Sequence, residues 1–121
     1  MTKVLLADHD SFSRTIYSKK FEQSKFEVVV ADNGDACIRK AKSHRPDVIL
    51  MELALPQVNG FRVLESLRMQ GETANIPVIL LTSLAEQSDI ERCERLGCHA
   101  FFIKPHARPE RVVETVKELV V

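Results

Sequence analysis

Three short apolar runs, each ending in a charged residue and separated by helix-patterned stretches, predict an α/β fold. The expected form is a doubly wound five-stranded parallel sheet with helices on both faces. Val4-Leu5-Leu6-Ala7 runs into Asp8-His9-Asp10, Val48-Ile49-Leu50-Met51 into Glu52, and Ala100-Phe101-Phe102-Ile103 into Lys104-Pro105. Strands buried on both faces read as continuous apolar stretches, and their alternation with helices implies a parallel sheet covered on both sides. In open parallel sheets the chemistry sits outside the carboxyl ends of the strands. The three charged ends are therefore expected to form one pocket from distant parts of the chain.

The elements follow in order. A first strand covers about Lys3 to Ala7, and Asp10 can cap a helix over Ser11 to Ser24 with Phe12, Ile16 and Phe21 inward. A second strand runs Glu27 to Ala31. Asp32-Asn33-Gly34-Asp35 is a turn that also caps a helix to about Ser43, burying Ala36, Ile38 and Ala41. Pro46 closes that connection before a third strand, Asp47 to Met51, and Gly60 opens a helix with Phe61, Leu64 and Leu67 on one face. A fourth strand spans Pro77 to Leu81, with Thr82 at its tip. Ser83/Glu86 and Ser88/Glu91 both have capping-box spacing, so the fourth helix starts in that interval; it ends near Leu96, with Gly97 as its cap. A fifth strand is Ala100 to Ile103. Pro109 suits the first turn of a last helix with Val112, Val113, Val116 and Leu119 as its buried stripe.

Composition bounds the function. The chain has 121 residues, enough for one domain spanning 1–121 with a real core, whether it is a whole protein or part of a longer one. Seventeen basic and seventeen acidic residues cancel, which removes the electrostatic case for general nucleic-acid or anionic-membrane binding. No apolar stretch approaches the roughly 20 residues of a membrane span, and no signal-peptide pattern opens the chain, so a cytoplasmic location is expected. Cys37, Cys93 and Cys98 lack disulfide-framework or zinc spacing and read as small buried apolar residues. The glycines at 34, 60, 71 and 97 never form the G-x-G-x-x-G of a dinucleotide loop.

Read together, the tip Asp8-His9-Asp10, the segment Glu52-Leu53-Ala54-Leu55-Pro56-Gln57-Val58-Asn59-Gly60, the tip Thr82-Ser83 and Lys104-Pro105 resemble the receiver domain of two-component response regulators over essentially the whole chain. The resemblance implies the flavodoxin-like strand order 2-1-3-4-5. It also implies phosphoryl transfer from a histidine kinase or phosphotransfer protein to an acid after strand three, with magnesium. It places Glu52 at the phosphoacceptor position and Asp8 and His9 on the acidic pair. Ala54 falls on the carbonyl metal ligand, Thr82 on the phosphoryl-contacting hydroxyl, Lys104 on the ammonium, and Phe101 on the aromatic switch. Output to a downstream effector is expected through helix four, strand five and helix five, roughly Ser88 to Val121. The family also implies a cis bond before Pro105.

Two positions depart from that pattern, and both touch the chemistry. Glu52 stands where the family has aspartate; its extra methylene displaces the carboxylate by about 1.5 Å, and an error of about 1 Å in an in-line attack can cost on the order of a hundredfold in rate. A longer acid could also reach Lys104 and Thr82 and imitate part of the phosphorylated state, although one carboxylate carries less charge than an acyl phosphate. His9 replaces a hard oxygen ligand. The expectation is a pseudo-receiver with weak or absent magnesium binding and impaired phosphorylation.

Other readings compete. Asp8, His9 and Glu52 suit zinc or manganese by donor type, against a plainer reading of His9 as a solvated loop residue. Asp10 could join the acidic cluster, against its capping role. Lys104, isolated after a buried strand, is expected to neutralise Asp8 and Glu52. Phe101 reads equally as core, and His44, His99 and His106 as surface residues. A second class, an enzyme, rests on the likeness of Asp8-His9-Asp10 to the D-x-D of haloacid-dehalogenase-type phosphatases, with Asp8 as nucleophile and Asp10 as general acid, and with Thr82 and Lys104 on two more of that family's motifs; its last acidic motif and cap insertion are missing.

Overall fold

The computed structural model describes residues 1–83, 86–104 and 108–120. Five parallel strands, β1 (Lys3–Ala7), β2 (Glu27–Ala31), β3 (Val48–Met51), β4 (Val78–Thr82) and β5 (Ala100–Ile103), lie in the order β2-β1-β3-β4-β5. Five helices alternate with them: α1 (Ser11–Gln23), α2 (Gly34–His44), α3 (Gly60–Arg68), α4 (Gln87–Arg95) and α5 (Pro109–Val120). Two apolar clusters sandwich the sheet. One joins α2, α3 and Cys93 of α4 to Leu5, Ile49, Met51 and Leu80; the other joins α1 and α5 to Val4, Leu6, Leu50 and Ile79. Alternate residues of each central strand feed opposite clusters, which is why those strands are apolar throughout.

Several boundaries follow local chemistry. Asp10 caps α1, its carboxylate accepting from Phe12 N at 3.0 Å, and Asn33 caps α2, accepting from Ala36 N at 2.8 Å. The inward face of α1 differs from expectation. Phe12 is 72% exposed, and the buried stripe is Ser13, Tyr17 and Phe21 at strict i, i+4, i+8 spacing, with Ile16 half-buried. The start of α4 also differs. Neither serine box is used: Glu86 precedes the helix, its N–H donating to the Asp89 carboxylate at 3.0 Å, while Ser88 already lies inside the helix. At the other end Leu96 is the cap and Gly97 the residue beyond it, at φ +85°.

Two glycines fix the β3–α3 loop. A Cβ on Gly34 would fall 1.9 Å from the Val58 carbonyl oxygen, and one on Gly60 would fall 2.9 Å from Leu53 Cα. Gly34 N also donates to Pro56 O at 3.1 Å. On the α3 side, Arg68 donates to the carbonyls of Ala74 and Ile76 at 3.2 and 2.8 Å and to that of Gly97 at 3.0 Å, joining the end of α3 to the entry of β4 and the exit of α4. Pro105 and His106 lie outside the described residues.

Candidate functional site: a charged rim at the strand ends

The three charged residues each hang from one further rung of the sheet. Asp8 N donates to Ala31 O at 3.0 Å, Glu52 N to Ala7 O at 2.8 Å and Lys104 N to Thr82 O at 2.7 Å. Their side chains consequently leave the sheet at the same edge and meet. Lys104 Nζ lies 2.6 Å from Asp8 Oδ2 and 3.5 Å from Glu52 Oε1. Asp8 and Glu52 are 1% and 3% exposed, so two buried carboxylates share one ammonium. Burial makes such an arrangement strongly dependent on that cation.

The remaining oxygens also have donors. Asp8 Oδ1 accepts from Asp10 N at 3.0 Å, and Asp8 O accepts from Arg14 Nη1 of α1 at 2.7 Å. Glu52 folds back on its own loop: Oε2 accepts from Leu53 N at 2.6 Å and from Ala54 N at 3.3 Å. The longer side chain thereby turns its carboxylate onto backbone amides immediately after the strand. Close by in α1, burial and then the charges of Asp8 and Glu110 push the Tyr17 hydroxyl up to about 12.

The rim opens on a cavity of about 450 Å³ lined by His9, Asp10, Ser11, Glu52, Ser83 and Lys104. His9 is half-exposed, with Nδ1 at 3.8 Å from Asp8 Oδ1. Among the described residues no group of three or more His, Cys, Asp or Glu side chains is arranged to hold a metal ion, so Asp8, His9 and Glu52 do not form the zinc or manganese cluster their types would suit. Thr82 is buried at the end of β4, and Ala54 is exposed in the loop. Phe101 pairs with Leu80 across β4–β5 and packs, half-buried, on the cluster below α3 and α4. His44 and His99 are exposed.

Sequence reasoning missed three features of this neighbourhood. Ser83 lines the cavity rather than starting a helix, Arg14 braces the β1 exit, and Phe12 stands exposed in the first turn of α1. Arg14 has no signal in a single sequence, because its bond is to a carbonyl. Asp10, the acid that the phosphatase reading makes the general acid, is used as the cap of α1.

The response regulator receiver domain model matches residues 4–117. The polar-differentiation response regulator DivK of Brucella anthropi is 35% identical over 114 residues, covering 94% of this chain and 92% of that protein. DivK of Brucella ovis is 35% identical over 118 residues, covering 97% and 95%. Among solved structures, the chemotaxis protein CheY4 of Vibrio cholerae superposes with a TM-score of 0.90 at 27% identity, covering 100% of this chain and 99% of that one. The receiver domain of a Pseudomonas aeruginosa sensor histidine kinase, which holds magnesium in its active-site cleft, shares the fold at a TM-score of 0.89 and 24% identity, covering 98% and 97%. Receiver domains are generally non-enzymatic, magnesium-binding modules that interact with histidine kinases or phosphotransfer proteins and with effectors. No helix among the described residues is long and apolar enough to cross a membrane. These matches, over nearly the full length of chain and relative alike, rule for signalling over phosphatase chemistry: the chain belongs to the response regulator receiver domain family and is a receiver module of two-component signalling.

Proposed function

We propose that this receiver works through protein–protein contact with an acid rim already closed on itself, so that phosphorylation at Glu52 is impaired. The observation that carries this reading is the Glu52 carboxylate, held by the Leu53 and Ala54 amides on one oxygen and near Lys104 on the other. An acyl phosphate formed here would need donors of that kind for its own oxygens. A carboxylate that occupies them in the resting protein competes with the incoming group and supplies part of its charge. The rim is thus biased toward, but does not reach, the charge of a phosphorylated state.

Magnesium fits this donor set poorly. It takes oxygen ligands at about 2.0–2.1 Å in near-octahedral geometry. Both Asp8 oxygens already accept hydrogen bonds, one of them from Lys104, and Glu52 Oε2 faces two amides. With His9 in place of an acid, the formal charge of Asp8, Glu52 and Lys104 is about −1, which leaves little repulsion for a cation to relieve. Asp8, Glu52 and the Ala54 carbonyl are the groups that would be recruited, and recruiting Asp8 means releasing Lys104.

On this reading the whole chain, 1–121, acts as one cytoplasmic module without residual enzyme chemistry. A histidine kinase or phosphotransfer protein and a downstream effector meet it through α4, β5 and α5, with Thr82 and Phe101 as the residues that report the state of the rim to that face. The test is incubation with acetyl phosphate and magnesium followed by intact mass. The expected result is little or no phosphorylated species; rapid stoichiometric gain of one phosphate would overturn the proposal.

A further inference from the structure

A second chemistry-bearing pair lies away from the acid rim, at the C-terminal end of α4. Cys93 is the buried residue of that helix, and Cys98 is half-exposed five positions on. The helix ends in a Schellman turn: Cys98 N donates to Cys93 O at 3.0 Å, and Gly97 N to Glu94 O at 3.1 Å, with Gly97 left-handed at φ +85°. This turn lays the second residue beyond the cap over the third-last residue of the helix. Standard bond lengths cap the Cα separation at about 7.2 Å with every bond in line, and the bends of the turn shorten it; a disulfide spans ~4.4–6.8 Å. The two thiols are near enough for each to influence the other's ionisation, and Cys98 opens on a cavity of about 120 Å³ beside Ile90, His99 and Phe101.

We propose that Cys93 and Cys98 form a dithiol modification site that a peroxide closes to an intramolecular disulfide across the last turn of α4. The half-exposed Cys98 thiolate attacks one peroxide oxygen, the O–O bond breaks, and water leaves with the thiol proton. Cys93 then attacks the resulting sulfenic sulfur, forming the S–S bond and expelling a second water. Two thiols and one hydrogen peroxide become one disulfide and two waters. Cys37, buried on the inner face of α2, takes no part. The bridge would tie α4 covalently to the residue that leads into β5 through His99, on the face where Phe101 packs.

The surroundings set the rate. Burial raises both thiols, Cys93 to about 12, while the neighbouring Cys93 thiol and the Arg68 guanidinium pull Cys98 partly back. The charges facing the pair are Arg68 from α3 and Asp89, Arg92 and Glu94 from α4, with His99 adjoining the cavity. The reaction is therefore slow near neutrality and accelerates with pH, because thiolate is the attacking form.

The experiment treats the reduced full chain with hydrogen peroxide at about pH 7 and about pH 9. The expected product has lost two hydrogens, regains them with dithiothreitol, and after unfolding is alkylated at Cys37 alone. Its formation is about tenfold or more faster at the higher pH. Cys98→Ser should abolish the loss of hydrogens, and Cys93→Ala should divert Cys98 to oxygen adducts. Oxygen adducts without a disulfide in the wild type, a bridge involving Cys37, a disulfide-linked dimer, or a rate flat in pH would each overturn the proposal.

Discussion

The two neighbours of β4 on one face of the sheet, α3 and α4, are both nine-residue helices and are held in opposite ways. Helix α3 buries Phe61, Val63, Leu64 and Leu67 and begins at a glycine wedged against Leu53. Helix α4 buries Cys93 fully and Ile90 in part, and its other residues are polar; Arg92 fastens it to α3, its guanidinium 4.2 Å above the Phe61 ring and 3.4 Å from Glu65. Burial of several apolar side chains contributes several kcal/mol, whereas a partly exposed cation–π contact and a surface ion pair contribute about 1 kcal/mol or less each. The acid-bearing loop before α3 is thus built to stay, and α4 is built to yield.

The largest effect that would break this contrast is on the fixed side. Lys104→Met leaves Asp8 and Glu52 buried without their cation and should cost about 4 kcal/mol in urea unfolding near neutral pH; an unchanged midpoint would mean that the carboxylates relax into water. Gly34→Ala drives a Cβ into Val58 O and should cost about 3 kcal/mol, read in the same assay, with loop resonances around Val58 shifting most. Glu52→Asp shortens the acid so that it no longer reaches the Leu53 and Ala54 amides in the same way. Acetyl-phosphate labelling in magnesium should rise about a hundredfold, and an equal rate in both proteins would remove side-chain length as the cause. The smallest effect belongs to α4: Arg92→Ala should cost about 1 kcal/mol in the helix itself. Faster amide exchange confined to α4, with global unfolding hardly changed, is the expected pattern.

How much of this was legible depended on the kind of signal. Strands β2 and β5 fall on the residues expected, Glu27–Ala31 and Ala100–Ile103, because apolar runs bounded by turns have few other solutions. The meeting of Asp8, Glu52 and Lys104 was also readable, since parallel topology alone sends the three strand ends to one edge. In helix α1, Phe21 is buried as expected, but Phe12 is not the inward residue that an apolar count selects, because the true stripe starts with Ser13 and Tyr17, which such a count passes over. The start of α4 was ambiguous because two Ser/Glu spacings compete with Glu86–Asp89, and choosing among them depends on where the chain leaves β4. The turn of Glu52 onto Leu53 N and Ala54 N is a rotamer outcome; the sequence shows the extra methylene but not where it points.

Arg68 has a mechanical consequence. Its planar fork grips Ala74, Ile76 and Gly97 at once, so the trailing end of α4 is bolted to the body while the leading end, at Glu86, is secured by its own Asp89. A partner that breaks the Arg92 contacts would therefore swing this helix like a gate hung at its trailing end, with the greatest travel beside Ser83 and the charged cavity and the least beside the thiols.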